Sequence, residues 1–211
     1  PWDTVVCFTY RLEVLKTNDQ ELKLEGAKFK LYSDEDCKKE VYVKQTEDGY
    51  NVVNEDSIDE SMAWSSDEMV SNKEGNIVIN GLDGNVYYLK ETQAPTGYRK
   101  LNDPIVLTIS PTFTEDRDSY IKGEGATEKT LVKLTGLAHV KTFLSGLYSE
   151  ADSNLVTDVE NGKVNITVIN TIGKKLPVTG SVMTIVMIGS GISLVMFYLL
   201  GKKKNENKKK Y

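Results

Sequence analysis

Apolar and polar residues alternate with period two over much of this chain, the pattern of strands that bury one face and wet the other. Tyr10, Leu12, Val14 and Lys16 share a face, with Arg11, Glu13 and Leu15 opposite. After the turn-like Thr17-Asn18-Asp19-Gln20, a second strand sets Ala27, Phe29 and Leu31 against Lys28, Lys30 and Tyr32. Residues 33–72 are acidic, with apolar patches only at Val41 to Val43 and Tyr50 to Val53, and read as a hairpin or an irregular excursion. Asn72-Lys73-Glu74-Gly75 marks a turn, Ile77 and Ile79 begin a strand, and Gly81 to Asn85 turns again. In the next strand Tyr87, Leu89 and Glu91 lie opposite Tyr88, Lys90 and Thr92, and a further strand covers Ile105 to Ile109. Residues 111–158 break the rhythm: Leu131, Leu134, Leu137, Val140, Phe143, Leu144 and Leu147 recur at spacings of three and four, which predicts an amphipathic helix weakened by Gly136 and Gly146. The last strand returns to period two, with Val164, Ile166, Val168 and Asn170 against Asn165, Thr167 and Ile169.

Three of these strands place a polar group in phase with an apolar stripe: Lys16, Glu91 and Asn170. One such residue reads as a strand end leaning into water. Three in one small domain point to a buried cluster, because burying unpaired charge is costly. Burial lowers the pKa of a lysine and raises that of a carboxylic acid, so each is driven toward its neutral form. A neutral Lys16 amine is a nucleophile for the Asn170 carboxamide. A protonated Glu91 can polarise that carbonyl and shuttle protons while ammonia leaves. The product is a neutral amide crosslink, made once, without a cofactor.

The C-terminus carries a different signal. Residues 181–201 contain no charge, and as a helix with about 1.5 Å rise per residue they would cover roughly the 30 Å hydrocarbon thickness of a bilayer, so a transmembrane helix is expected there. Residues 202–211 follow with six lysines and one glutamate, a cytoplasmic basic tail by the positive-inside rule. Just before the run stands Leu176-Pro177-Val178-Thr179-Gly180. Pro177 fixes its own φ and biases Leu176 to an extended shape, and Gly180 allows close approach to the preceding peptide bond, both suited to a peptide lying in an enzyme cleft.

Charge and cysteine content narrow the classes. The net charge of −5 over 211 residues resolves into +5 in the tail and −10 in the rest. An acidic body argues against nucleic acid as a partner. The chain begins at Pro1 with no Met and no signal peptide although its C-terminus implies export, so a preceding part is expected. Cys7 and Cys37 could pair in an oxidising space, but no framework of spacings supports a disulfide. His139, the single histidine, has no Cys, Asp or Glu at ligand spacing and reads as a helix or surface residue, with no metal site.

Together, Leu176, Pro177, Thr179 and Gly180, the uncharged run and the basic tail resemble the tripartite cell-wall sorting signal of Gram-positive surface proteins. That resemblance implies cleavage between Thr179 and Gly180 by a sortase, transfer of the Thr carbonyl to an amine, and only transient retention at the membrane. Leu15-Lys16-Thr17-Asn18, residues 24–32, the Glu-box-like stretch from Tyr88 to Tyr98 and Val168-Ile169-Asn170-Thr171 are similar to the collagen-adhesin B-type (CnaB, SpaA-like) domain of Gram-positive pilins, over residues 5–110 and 160–180. It implies an immunoglobulin-like, prealbumin-like β-sandwich in which Lys16 and Asn170 form an isopeptide bond assisted by Glu91. The motif order looks most like the C-terminal domain of a major pilin. Residues 111–158 are longer than the usual link to the last strand, and no Tyr-Pro-Lys-Asn-like motif supplies a lysine for joining subunits.

The resulting expectation is a mainly β sandwich over 10–172, with 1–9 an incoming linker or the end of a preceding domain, a helical or irregular insertion at about 111–158, a linker and sortase motif at 173–180, and the membrane helix and tail beyond. Its function would be structural: a self-crosslinked pilus subunit at the cell surface, with sortase, peptidoglycan or neighbouring pilin subunits as partners and any host ligand unspecified. The competing readings are a monomeric wall-anchored adhesin that uses the domain as a stalk, and a surface enzyme whose active site lies elsewhere.

Overall fold

The computed structural model describes residues 7–54, 66–114, 130–144, 147–172, 187–189 and 192–194. Every named element among them is a strand. They are β1 (Tyr10–Asn18), β2 (Lys28–Tyr32), β3 (Val43–Thr46), β4 (Gly49–Val52), β5 (Met69–Val70), β6 (Asn76–Leu82), β7 (Val86–Gln93), β8 (Ile105–Phe113), β9 (Leu131–Leu144), β10 (Leu147–Asp158), β11 (Lys163–Asn170), β12 (Met187–Gly189) and β13 (Ile192–Leu194). The first eleven form one ribbon in the order β3-β4-β6-β1-β11-β10-β9-β8-β7-β2-β5.

The ribbon folds over so that its halves face each other. The long strand β10 makes the crossing: Leu147 to Leu155 pair with β9, and Val156 to Asp158 pair with β11. Between the halves lie Leu12, Val14, Phe29, Leu31, Ile77, Ile79, Leu89, Leu107, Val164 and Ile166, all buried. The alternation read from the sequence is the burial pattern observed in β1, β2, β7 and β11, since each strand wets one face. The described residues of the acidic excursion include the β3–β4 hairpin and the short strand β5. β1 and β11, the first and last strands of the ribbon in sequence, run parallel and adjacent from Arg11↔Lys163 to Asn18↔Asn170. A parallel pair needs a long crossover, and here the rest of the domain supplies it.

One expectation is corrected, and a second finds no support. In place of the helix or irregular insertion at 111–158, the described residues of that stretch form the end of β8 and the antiparallel pair β9 and β10. Its misleading spacing has a specific origin. A bulge opposite Thr112 and Phe113 lets Leu131 and Leu134, three apart, both turn inward, while Leu137 is exposed. The buried face continues through Gly136, Ala138 and Val140 at period two, with two members too small to register as an apolar stripe. Gly136 is required there: a Cβ would stand 2.7 Å from Val164 Cγ1 and 2.9 Å from Leu155 Cβ.

Most of the expected spanning helix at 181–201 lies outside the described residues. Its described parts are the short antiparallel strands β12 and β13, and no helix among the described residues is long and apolar enough to cross a membrane. The sortase motif, Leu176 to Gly180, lies outside the described residues.

Candidate crosslinking site

Three strand ends meet at one end of the sandwich. β1 and β11 belong to one half of the ribbon and β7 to the other, and each brings an inward position near its C-terminal end to the same place. In β1 the buried series Tyr10, Leu12, Val14 continues into Lys16; in β7, Tyr87 and Leu89 continue into Glu91; in β11, Val164, Ile166 and Val168 continue into Asn170. Exposure is 0% for Lys16 and 1% for both Glu91 and Asn170. Strand phase therefore commits all three to the interior.

Lys16 stands directly across from Val168 in the parallel ladder, and its Nζ donates to the Val168 carbonyl at 2.9 Å. Asn170 lies two positions further along the same face. Its Nδ2 donates to Glu91 Oε1 at 2.8 Å across the sandwich, while Oδ1 is buried without a hydrogen-bond partner. Glu91 Oε2 accepts the Leu101 backbone N–H at 2.7 Å. Burial pulls the Lys16 amine down to about 7, against the opposing pull of the Glu91 carboxylate. Burial also pushes the Glu91 carboxyl up, although the Leu101 N–H, Lys16, Asn170 and Lys100 each favour its charged form. Burial thus drives both toward their uncharged forms, an amine with a free lone pair beside an acid with a proton to give.

Local structure holds each partner in place. The Lys16 peptide is gripped on both sides: its N–H donates to the Gly75 carbonyl at 2.7 Å and its carbonyl accepts from Leu24 N at 2.9 Å. Gly75 takes φ +74° in the turn before β6, and a Cβ there would fall 2.5 Å from the Lys16 oxygen. Only glycine suits that turn. Beyond β7 the chain makes a turn at Pro95 to Tyr98, with Gly97 at φ +90°. It then crosses the mouth of the cluster, where Arg99 N donates to the Thr171 carbonyl at 2.8 Å and the Tyr98 hydroxyl accepts Asn18 Nδ2 at 3.3 Å.

Residues 10–120 match the family model described as the SpaA prealbumin-like fold domain. The chain belongs to that family. No curated protein matches it. Among solved structures, the SpaA-type chain is similar to the group B streptococcus pilus 2b backbone protein, with 22% identity, TM-score 0.40, and coverage of 80% of this chain and 43% of that one. It is similar to a streptococcal ancillary pilin with 20% identity, TM-score 0.39, and coverage of 78% and 32%. The shaft pilin SpaA of Lactobacillus rhamnosus GG aligns with 16% identity and TM-score 0.41 over 81% of this chain and 50% of that one. The chain spans half or less of the length of each.

Of the residues singled out in the sequence, Lys16, Glu91 and Asn170 come together in the SpaA-type domain. Cys7 and Cys37 are both free thiols. His139 lies on β9, not on a helix, and its Nδ1 meets Asp152 Oδ1 at 2.6 Å, and no cluster among the described residues could hold a metal ion. Sequence reasoning missed the Leu101 amide, the Val168 carbonyl, Gly75 and the Asn18–Tyr98 contact. Two of these are backbone groups, which no residue type announces; the Thr96-Gly97-Tyr98 turn was the one visible sign of a segment returning over the cluster.

Proposed function

We propose that this SpaA-type domain is a structural subunit of a cell-wall-anchored pilus, closed by an isopeptide bond between Lys16 and Asn170 that Glu91 promotes. The single observation that carries this reading is the meeting of a buried amine, a buried acid and a buried carboxamide at the ends of β1, β7 and β11. The neutral Lys16 Nζ attacks Asn170 Cγ; the Nζ–Cγ bond forms as the carbonyl oxygen takes up charge. With Glu91 protonated and the amide turned over, the acid's O–H donates to that oxygen. With the amide as it stands, Glu91 Oε1 is aimed at the departing nitrogen. One Nζ proton passes through the Glu91 carboxyl to Nδ2, the Cγ–Nδ2 bond breaks, and ammonia leaves. Glu91 ends as it began, and an amine that is costly to bury as an ion becomes part of a neutral amide.

At the other end of the reading stands the sorting signal. A sortase would cleave between Thr179 and Gly180 and join Thr179 to an amine of peptidoglycan or of a neighbouring subunit, leaving the uncharged run and the basic tail behind. The domain would then sit at the cell surface, a link in a covalent fibre and not an enzyme in the ordinary sense.

Intact mass tests the crosslink directly. The folded chain is expected to be about 17 Da lighter than its sequence, the loss of one ammonia, and Glu91→Ala to restore the full mass. A wild-type chain at full mass overturns the crosslink. Covalent ladders that survive boiling in detergent, formed on cells and lost with Thr179→Ala, support the pilus. A single wall-linked species in their place supports the stalk of a monomeric adhesin.

A further inference from the structure

We propose that the Leu101 backbone amide is a positioning group for the crosslinking reaction: it fixes the Glu91 carboxyl so that the oxygen facing Asn170 is the one that carries the acid proton. The inference rests on the crosslinking reading above. A peptide N–H can only donate, so the oxygen it contacts must accept. Glu91 Oε2 takes the Leu101 N–H at 2.7 Å, so in the neutral acid that oxygen is the carbonyl-type one and the proton resides on Oε1. Oε1 is the oxygen that faces Asn170, accepting Nδ2 at 2.8 Å; unlike a peptide N–H, that side-chain amide can turn over, and the Oε1 proton is then donated to Oδ1. Without the Leu101 amide, the proton could sit on either oxygen and the carboxyl could rotate, so part of the population would face the amide with the wrong atom.

The loop that delivers this amide is tied to both of the other strands in the site. Arg99 N reaches the Thr171 carbonyl just past β11, an isolated bridge joins Tyr98 to Ile172, and the Tyr98 hydroxyl receives Asn18 Nδ2 from the end of β1. Leu101 itself packs against the core. The amide therefore reaches Glu91 when the ends of β1 and β11 are docked, which couples orientation of the acid to assembly of the nucleophile and the electrophile. Around the carboxyl, the groups that bias its charge are Lys16 from β1, Asn170 from β11 and Lys100 with the Leu101 amide from the loop.

The test is an amide-to-ester replacement at residue 101, introduced by cell-free synthesis of the whole chain with the α-hydroxy analogue of leucine. This removes the N–H and keeps the side chain. Samples are quenched in denaturant at intervals, and the fraction lighter by one ammonia is followed from pH 5 to 9. The ester chain is expected to crosslink about tenfold more slowly, as loss of a hydrogen bond to an ionisable group implies. The alkaline limb of its rate profile is expected to move to higher pH, because the N–H that favours the carboxylate is gone. Leu101→Ala, which keeps the amide and trims the packing, is the second variant; whatever its rate, the alkaline limb of its profile is expected to stay at the wild-type pH. An ester chain with wild-type rate and profile overturns the positioning role while leaving the crosslink standing. So does a Leu101→Ala chain that is slowed with the same shifted profile, since packing alone would then account for the effect. A wild-type chain that never loses ammonia overturns both readings.

Discussion

Lys16 is the residue whose charge state would link folding to the proposed crosslinking. Its amine is held at about 7 when folded, against an ordinary 10.5. Between those values the unfolded chain binds a proton that the folded chain does not, so stability rises with pH across that window and the gain is lost as pH falls through the folded value. A crosslinked chain has no such titration, because its nitrogen is an amide. Glu91→Gln, expected to stay uncrosslinked, should therefore gain stability relative to wild type between pH 7 and 10, by up to about 1.4 kcal/mol per pH unit. Removing the carboxylate also removes the influence that raises the Lys16 value, so the rise should begin below 7. Thermal melts of both chains across pH 6 to 10 would check this, and parallel curves would sink it. Gly75 gives a second expectation at this scale. Gly75→Ala sets a Cβ against the Lys16 carbonyl at a positive φ, so the uncrosslinked chain should lose about 2 kcal/mol in urea unfolding and the wild-type background should crosslink more slowly. Lys16, Glu91 and Asn170 were legible in the sequence because a period of two converts position into burial; a backbone amide such as that of Leu101 has no such signature.

Among the elements, those with large apolar residues at every second position were legible, and β9 was not, because its buried face runs through Gly136 and Ala138 and starts with a bulge. The same feature makes a prediction. Ala is the better strand former by intrinsic preference, yet a Cβ at 136 has no room between Val164 and Leu155. Gly136→Ala should destabilise by about 1 to 3 kcal/mol through overpacking, seen as a lower midpoint in thermal melts. A neutral or higher midpoint would show that β9 and β11 can part at no cost. The outer elements of the ribbon show how the domain avoids adding strands. At β3, Val43 N and Gln45 N donate to Ser66 Oγ and Asp67 Oδ2, and at β5, Val70 N donates to the Tyr50 hydroxyl. Side chains thus occupy amides that would otherwise be open to a neighbouring chain. If subunits join, the joint is expected to be covalent and terminal, not an extension of the sheet.

For the whole molecule, the decisive feature is that β1 and β11 are neighbours and parallel, while the chain enters before β1 and leaves after β11. Tension applied through the two ends pulls these strands in opposite directions along their shared ladder, a shear that hydrogen bonds alone resist until they rupture together. A bond from Lys16 to Asn170 changes the path. Force then enters at β1, crosses the amide and leaves past Thr171, and the intervening sandwich carries none of it. The enclosed loop is about 150 residues, whose closure should stabilise the fold by roughly 5 kcal/mol in the chain-entropy model, and whose contour is about 50 nm at roughly 3.5 Å per residue. Single-molecule stretching between the termini should therefore show no unfolding step of that size in the wild-type chain. Glu91→Gln should release one step of about 50 nm, because its loop is closed only by the β1–β11 ladder. A wild-type chain that releases the same length as the variant would mean that no covalent bond spans the two strands, whatever the proximity of the three side chains.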